Sequence, residues 1–165
     1  MDVRRLLKHL ASPGWKARRA FRDDDLDAIG AAVAASEARH RGEIRIAIEG
    51  PLPLASLLRG ESCRERAAAL FDTLGVAATR EANGILIYVQ LVDRRLEILA
   101  DRGIAARVPA AEWAAACRGM AAAFAAGDYR GGMAAAIERM TALLAAHFPP
   151  GDDNPDELEN RPRLL

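Results

Sequence analysis

The sequence predicts a single α/β domain built on a mixed sheet of three or four strands with helices on both faces. Three stretches carry that expectation. Ile85 to Leu91 is apolar apart from Gln90 and rich in β-branched and aromatic residues, the mark of a strand buried on both faces. Arg95 to Ala100 alternates, with Leu96, Ile98 and Ala100 on one face and Arg95, Glu97 and Leu99 on the other. That pattern reads as an edge strand or one with a wetter face. With the turn Val92-Asp93-Arg94 between them, the two strands form a β-hairpin, and the first is expected at the sheet's centre. Glu43 to Glu49 also alternates, Ile44, Ile46 and Ile48 against Arg45, Ala47 and Glu49. A helical segment separates it from Ile85, which implies a parallel β-α-β crossover, right-handed by the general rule.

At 165 residues the chain is long enough for one domain with a real core. Lys+Arg 23 balance Asp+Glu 23, so no global field recruits nucleic acid or membrane. Cys63 and Cys117 fall on helical segments and read as small buried residues in a reducing compartment. No run of about 18 apolar residues is present. The N-terminus lacks the apolar stretch and cleavage site of a signal peptide, so a cytoplasmic protein is expected, possible contact with the inner face of the membrane included.

Residues 1–22 form a basic arm, with Arg4, Arg5, Lys8, Lys16, Arg18, Arg19 and Arg22 against the single acid Asp2. Val3, Leu6, Leu7 and Leu10 fall at helical spacing, and Ser12-Pro13-Gly14 breaks the helix before Trp15. Two readings stand. One is a membrane-surface or partner-docking helix using Arg4, Arg5, Lys8, Trp15, Lys16, Arg18 and Arg19. The other is a helix packed on the domain with its basic face in water.

Residues 23–148 make the domain proper. Asp23-Asp24-Asp25 suits a helix N-cap and first turn, beside the positive end of the helix dipole. That helix is expected to run to Arg41, with Gly42 closing it. Pro51 to Gly60 reads as a loop, and Ser62 with Glu65 as a capping box opening a helix whose inner stripe is Ala67, Leu70, Phe71 and Leu74. After the hairpin, Trp113, Cys117, Met120 and Phe124 make one core stripe, and Met133, Ile137, Met140, Leu144 and Phe148 another. The acidic tail, residues 149–165, is expected to run extended along the surface or to be disordered.

Parallel pairing of the first two strands would gather Glu43, Asn83, Gly84, Asp101, Arg102 and Gly103 at one end of the sheet. Glu49, Gly50, Asp93 and Arg94 would sit at the other. Asp93 and Asp101 are separated by an extended strand of roughly 25 Å, so they belong to different sites. Carboxylate and amide oxygens in the first group suit Ca²⁺ or Mg²⁺ rather than zinc, with Glu43 and Asp101 as candidate ligands. The alternative is that these acids only form ion pairs with Arg102 or Arg45. The sequence holds no Cys-x₅-Arg loop, Gly-x-Ser-x-Gly elbow or P-loop.

Four stretches resemble the TPM domain family: Gly42-Glu43-Ile44; Asn83-Gly84-Ile85-Leu86-Ile87; Arg94/Arg95 with Glu97-Ile98 and Gly103; and Asp128-Tyr129 with Gly132 and Ile137. They cover residues 24–148. The family unites a plant thylakoid-lumen acid phosphatase, a photosystem repair protein, a nematode receptor modulator and many bacterial proteins. The basic arm and the Asn154-Pro155-Asp156-Glu157-Leu158 tail look like a short, soluble bacterial subgroup. Two positions depart from the pattern. Many members have an acid before the Asn-Gly, where this chain has Ala82 preceded by Glu81; many have Gly-x-Gly where it has Asp101-Arg102-Gly103. The resemblance implies calcium binding or phosphate-ester hydrolysis in some members. The expected function is a non-catalytic accessory module that binds a partner protein, with a divalent-cation site conceivable. The alternative is a metal-assisted phosphomonoesterase using Glu43 and Asp101 as ligands, Asn83 to orient phosphate or water, and Arg102 to counter charge.

Overall fold

In β1 (Glu43–Glu49) every residue is buried, although Glu43, Arg45 and Glu49 are charged. The strand's two faces explain it. Ile44, Ile46 and Ile48 join Ile85, Ile87 and Val89 of β2 (Gly84–Gln90) in the larger core, against helices on one side of the sheet. Ala47 joins Leu86 and Tyr88 in a smaller core on the other side. β1 and β2 pair in parallel, Glu43 opposite Gly84 and Glu49 opposite Gln90. β3 (Arg95–Ala100) pairs antiparallel with β2, Ile85 opposite Ala100. A fourth strand, β4 (Arg163–Leu164), lies parallel to β1, which makes the order β3-β2-β1-β4 and leaves β2 internal. The computed structural model describes residues 2–151 and 156–165, apart from the side chain of Lys16. Met1 and the tail's Asp152, Asp153, Asn154 and Pro155 lie outside the described residues.

The arm holds two helices, α1 (Val3–Leu10) and α2 (Trp15–Ala20), split at Ser12-Pro13-Gly14. α3 (Asp23–Glu37) carries its three aspartates in the first turn, and Asp25 accepts the Arg22 N–H at 3.1 Å. It stops four residues short of the expected Arg41. Gly42 therefore does not cap it: a Cβ there would come within 2.3 Å of Leu144, so this glycine serves the packing of the last helix against β1. The expected loop after β1 contains α4 (Leu54–Arg59), ended by Gly60 at φ 68°. Leu-Ala-Ser-Leu-Leu-Arg has good helix formers, and Pro53 starts it. α5 (Cys63–Thr73) opens with the predicted capping box: Ser62 accepts from Glu65 N–H, and Glu65 from Ser62 N–H at 2.8 Å.

After the hairpin come a short α6 (Arg102–Ala105), then α7 (Ala110–Ala125) and α8 (Tyr129–His147). Met120, Met133, Ile137, Met140, Leu144 and Phe148 are all buried, so both predicted stripes face the larger core together with α3. α5 and a 3₁₀ turn at Val76–Ala78 cover the smaller core. Helices thus flank both faces, as the sequence implied. Cys63 and Cys117 are free thiols, each partly buried.

The described end of the tail packs on the sheet. Beyond contributing β4, residues 157–161 are clasped by the polar face of β1. The Arg45 guanidinium donates to the carbonyls of Glu159 and Arg161 and pairs with the Glu159 carboxylate at 2.7 Å. The Glu43 carboxylate accepts the backbone N–H groups of Glu157 and Leu158 at 3.3 and 3.2 Å. Charges on a strand interior to the fold require such partners.

Candidate functional site

At the N-terminal ends of β1 and β2 the expected residues do gather, but each is engaged differently. Asn83 is buried and donates to the Arg41 carbonyl at 2.8 Å, while its Oδ1 has no hydrogen-bond partner among the described residues. Asp101 caps α6 by accepting the Arg102 N–H at 2.6 Å, and its own N–H donates to Gly84 O at 2.8 Å. Its second oxygen, Oδ2, is buried with no hydrogen-bond partner among the described residues. Gly103 donates to the Ala82 carbonyl, and a Cβ on it would sit 2.6 Å from that oxygen. A Cβ on Gly84 would strike Val76 O at the same 2.6 Å. Close backbone approach accounts for both glycines. Arg102 is exposed.

Glu43 and Asp101 stand on opposite sides of β2, because Glu43 is opposite Gly84 and Asp101 bonds that glycine from the β3 side. Two strand spacings put their Cα atoms about 10 Å apart. Glu43 instead meets Glu37 at the end of α3 and Asp156 of the tail: one carboxylate oxygen from each lies within 4.8 Å of the others. Burial first, then the carboxylates of Glu43 and Asp156, push Glu37 up to about 7. Burial likewise raises Glu43 to about 7, despite the two backbone N–H groups it accepts. Three acids held together, Glu43 buried, Glu37 half-buried and Asp156 exposed, suit a hard divalent cation, for which oxygen donors are the preferred ligands. The residues fit that group here more naturally than as a Glu43–Asp101 pair. Glu81, the acid one position before Ala82, is already bound bidentately by Arg41 at 2.9 and 3.2 Å, which lowers it.

Sequence reading missed Glu37, Asp156 and Asn160, whose Nδ2 donates to Glu37 at 3.0 Å. One signal for them existed. Glu43, Arg45 and Glu49 share one face of a strand that the topology buries, so that face needed polar partners from elsewhere.

At the opposite sheet end, Glu49 accepts from Arg66 at 2.6 Å and from the Tyr88 hydroxyl at 2.5 Å. Gln90 donates to Gly50 O at 2.7 Å and accepts from the N–H groups of Val92 and Asp93, fixing the hairpin turn. Asp93 anchors the arm. Arg5 Nε lies 2.8 Å from it, His9 Nε2 3.1 Å and Lys8 Nζ 3.8 Å. Burial works against its charge, but Arg5 and His9 hold its carboxyl below the ordinary range. Arg5 also donates to the Glu61 carbonyl at 2.6 Å, and His9 Nδ1 accepts the Leu52 N–H at 3.0 Å.

These contacts mount α1 with its polar residues inward. His9 is 1% exposed, whereas Val3, Leu7 and Leu10 are each more than half exposed. Trp15 and, on the neighbouring α4, Leu54 and Leu58 are equally open. Arg5 and His9 thus seat α1 on the domain through Asp93, the Glu61 carbonyl and the Leu52 N–H, and the rest of the basic face stays in water. Arg4, Lys8, Arg18 and Arg19 remain exposed, and Lys16 lies in α2. No helix among the described residues is long and apolar enough to cross a membrane.

Comparison with known proteins places this architecture. No curated protein matches the chain. Among solved structures, the NMR structure of the BA42 protein from the psychrophilic bacterium Bizionia argentinensis is similar, with a TM-score of 0.77 and 28% sequence identity. The likeness covers 88% of this chain and 95% of that one. A family profile described as the TPM domain matches residues 17–143, which span both strands of the crossover, the hairpin and most of the last helix. This chain therefore belongs to the TPM domain family.

Proposed function

We propose that this protein is a non-catalytic TPM-type accessory module of the cytoplasm, which docks on a partner through the outward face of its basic arm. The observation that carries the reading is the inverted mounting of α1: Arg5 and His9 bind the domain, and Val3, Leu7 and Leu10 are held outward. Exposing leucines costs hydrophobic stabilisation of about 1.5–3 kcal/mol per side chain left unburied. A contiguous exposed apolar strip is the usual sign of an interaction surface. Arg4 and Lys8 on α1 and Trp15, Arg18 and Arg19 on α2 are exposed on the same arm, while Arg5 serves to hold it.

The test is affinity capture from membrane and soluble fractions with the wild type and with a Leu7→Asp/Leu10→Asp variant. Both side chains are exposed, so the variant keeps the wild-type circular dichroism and melting temperature. A species retained by the wild type and released by the variant supports the docking face. Identical retention removes it.

One observation favours a second reading, divalent-cation binding with phosphomonoester hydrolysis. It is the convergence of Glu37, Glu43 and Asp156 oxygens. A bound cation would polarise a phosphoryl oxygen and activate water, with Asn83, Asp101 and Arg102 at the same end of the sheet. Turnover of an aryl phosphate with Ca²⁺, Mg²⁺ or Mn²⁺, lost in Glu43→Gln or Asp101→Ala, would establish it.

A further inference from the structure

We propose that the partner met by this face is an anionic phospholipid surface, and that the cleft on the flank of α1 takes a lipid headgroup phosphate. The proposal rests on the docking reading above and names its partner. A cleft of about 570 Å³ lies between α1, the first turn of α5 and the start of β3. Its acids are already committed. Asp93 is held by Arg5, Glu97 lies 3.3 Å from Arg64, and Asp2 caps α1 by accepting the Arg5 N–H at 3.2 Å. Arg4, Lys8 and Arg95 line the same cleft. Neither Arg4 nor Arg95 forms an ion pair among the described residues, and Lys8 reaches Asp93 only at 3.8 Å. The positive end of α5 adds to the field at the cleft wall.

The cleft and the apolar strip adjoin. At about 100° per residue, Val3, Leu7 and Leu10 share one side of α1, and Arg4 and Lys8 lie along its edge. The outward face therefore presents leucines bordered by cations, and α4, which packs against α1, carries the exposed Leu54 and Leu58. A bilayer rich in anionic lipid offers both complements at once, acyl chains for the leucines and phosphates for the arginines. The net charge of the whole chain is zero, so the attraction is local to this face and sets an orientation: arm toward the surface, acidic cluster at the far end of the sheet.

The experiment is co-sedimentation of the full chain with phosphatidylglycerol vesicles and with phosphatidylcholine vesicles. The wild type, Arg4→Ala/Lys8→Ala/Arg95→Ala and Leu7→Asp/Leu10→Asp are compared. The wild type should partition onto phosphatidylglycerol and not onto phosphatidylcholine, and 1 M salt should release it, because the screening length falls to about 3 Å. Each basic residue at such a surface is worth about fivefold in partitioning, so the triple cation variant should lose roughly a hundredfold. Its three side chains are at the surface, and an unchanged melting temperature verifies the fold. Equal partitioning onto both vesicle types, or undiminished binding by the triple variant, overturns the proposal. If the wild type ignores phosphatidylglycerol while affinity capture still separates it from the leucine variant, the lipid proposal falls and the docking reading stands. If both experiments fail, the docking reading falls with it.

Discussion

The Tyr88 hydroxyl donates to Glu49 across 2.5 Å, inside the fold, where Tyr88 is 0% and Glu49 2% exposed. Arg66 closes the arrangement with Nε and Nη2 on the same carboxylate. Burial and the bond to Glu49 hold the phenol far above its ordinary range, so it remains a donor at any ordinary pH.

Removing one partner from this group is expected to be asymmetric in cost. Tyr88→Phe deletes a charge-assisted hydrogen bond and should cost about 1.5–3 kcal/mol. Arg66→Met leaves a buried carboxylate without its cation and should cost about 3–5 kcal/mol. Urea denaturation of the two variants measures both. A larger loss for Tyr88→Phe than for Arg66→Met would show that the ion pair is not what holds Glu49.

Stability in metal-free buffer should fall as pH rises from about 4.5 to 7, through the titration of Glu37 and Glu43. Both are raised to about 7 in the fold by burial and by neighbouring acids. The unfolded chain releases these protons near 4.5, so it binds fewer protons across that window and is favoured as pH increases. Their combined effect should be on the order of 1–2 kcal/mol after solvent screening. His40 acts oppositely. Burial pushes it down to about 4, so its contribution is complete above pH 6.5 and is lost as pH falls toward 4. The two windows overlap with opposite signs, so His40 offsets part of the fall, and two carboxyls against one imidazole leave stability decreasing from about pH 4.5 to 7. Glu37→Gln should make melting curves across that range markedly flatter.

Calcium should raise the melting temperature through the Glu37–Glu43–Asp156 cluster. At a hundredfold excess over the dissociation constant, stabilisation is about 2.7 kcal/mol. For a domain of this size that is a rise of about 5–10 °C. Glu43→Gln should abolish the response and Asp101→Ala should retain it. The reverse pattern would assign the ion to the Asp101 end of the hairpin.

Ala82 and Arg94 adopt left-handed backbone conformations, φ 51° and 54°. A side chain strains both positions, more so Ala82, which has no polar group to satisfy itself locally. Ala82→Gly and Arg94→Gly should each stabilise by about 0.5–1 kcal/mol, or about 1–4 °C. Differential scanning calorimetry decides it. A drop in melting temperature for either would mean the lost side-chain contacts outweigh the strain.

The chain's order and chemistry determined a good deal without a structure. The run at Ile85–Leu91, apolar but for Gln90, read as an internal strand, and the alternation at Arg95–Ala100 as an edge strand or one with a wetter face, and the sheet order has the first inside and the second at the edge. Met133, Ile137, Met140 and Leu144 recur at helical spacing, which committed them to the core. Such features are local, with periods of two or 3.6 residues, and the hydrophobic effect acts on them wherever the segment packs. They also located the residues gathered at each sheet end, since parallel pairing of two strands aligns their termini.

What only the tertiary structure decided involves partners far apart in the chain. Glu43 looked available as a ligand beside Asp101, but β2 lies between them. Its neighbours come from α3 and the tail, with Asp156 more than a hundred residues away. The arm's helix could be read as docking outward or as packed with its basic face in water, and it is Asp93, Glu61 and Leu52 that claim Arg5 and His9 for the inner face. The C-terminal residues read as polar surface, yet β1 had an open edge and a charged face, and the tail satisfied both. Hydrophobic periodicity is written in neighbouring residues. The satisfaction of a buried charge is not, because its hydrogen-bond partner can be supplied by any segment the fold brings within 3 Å.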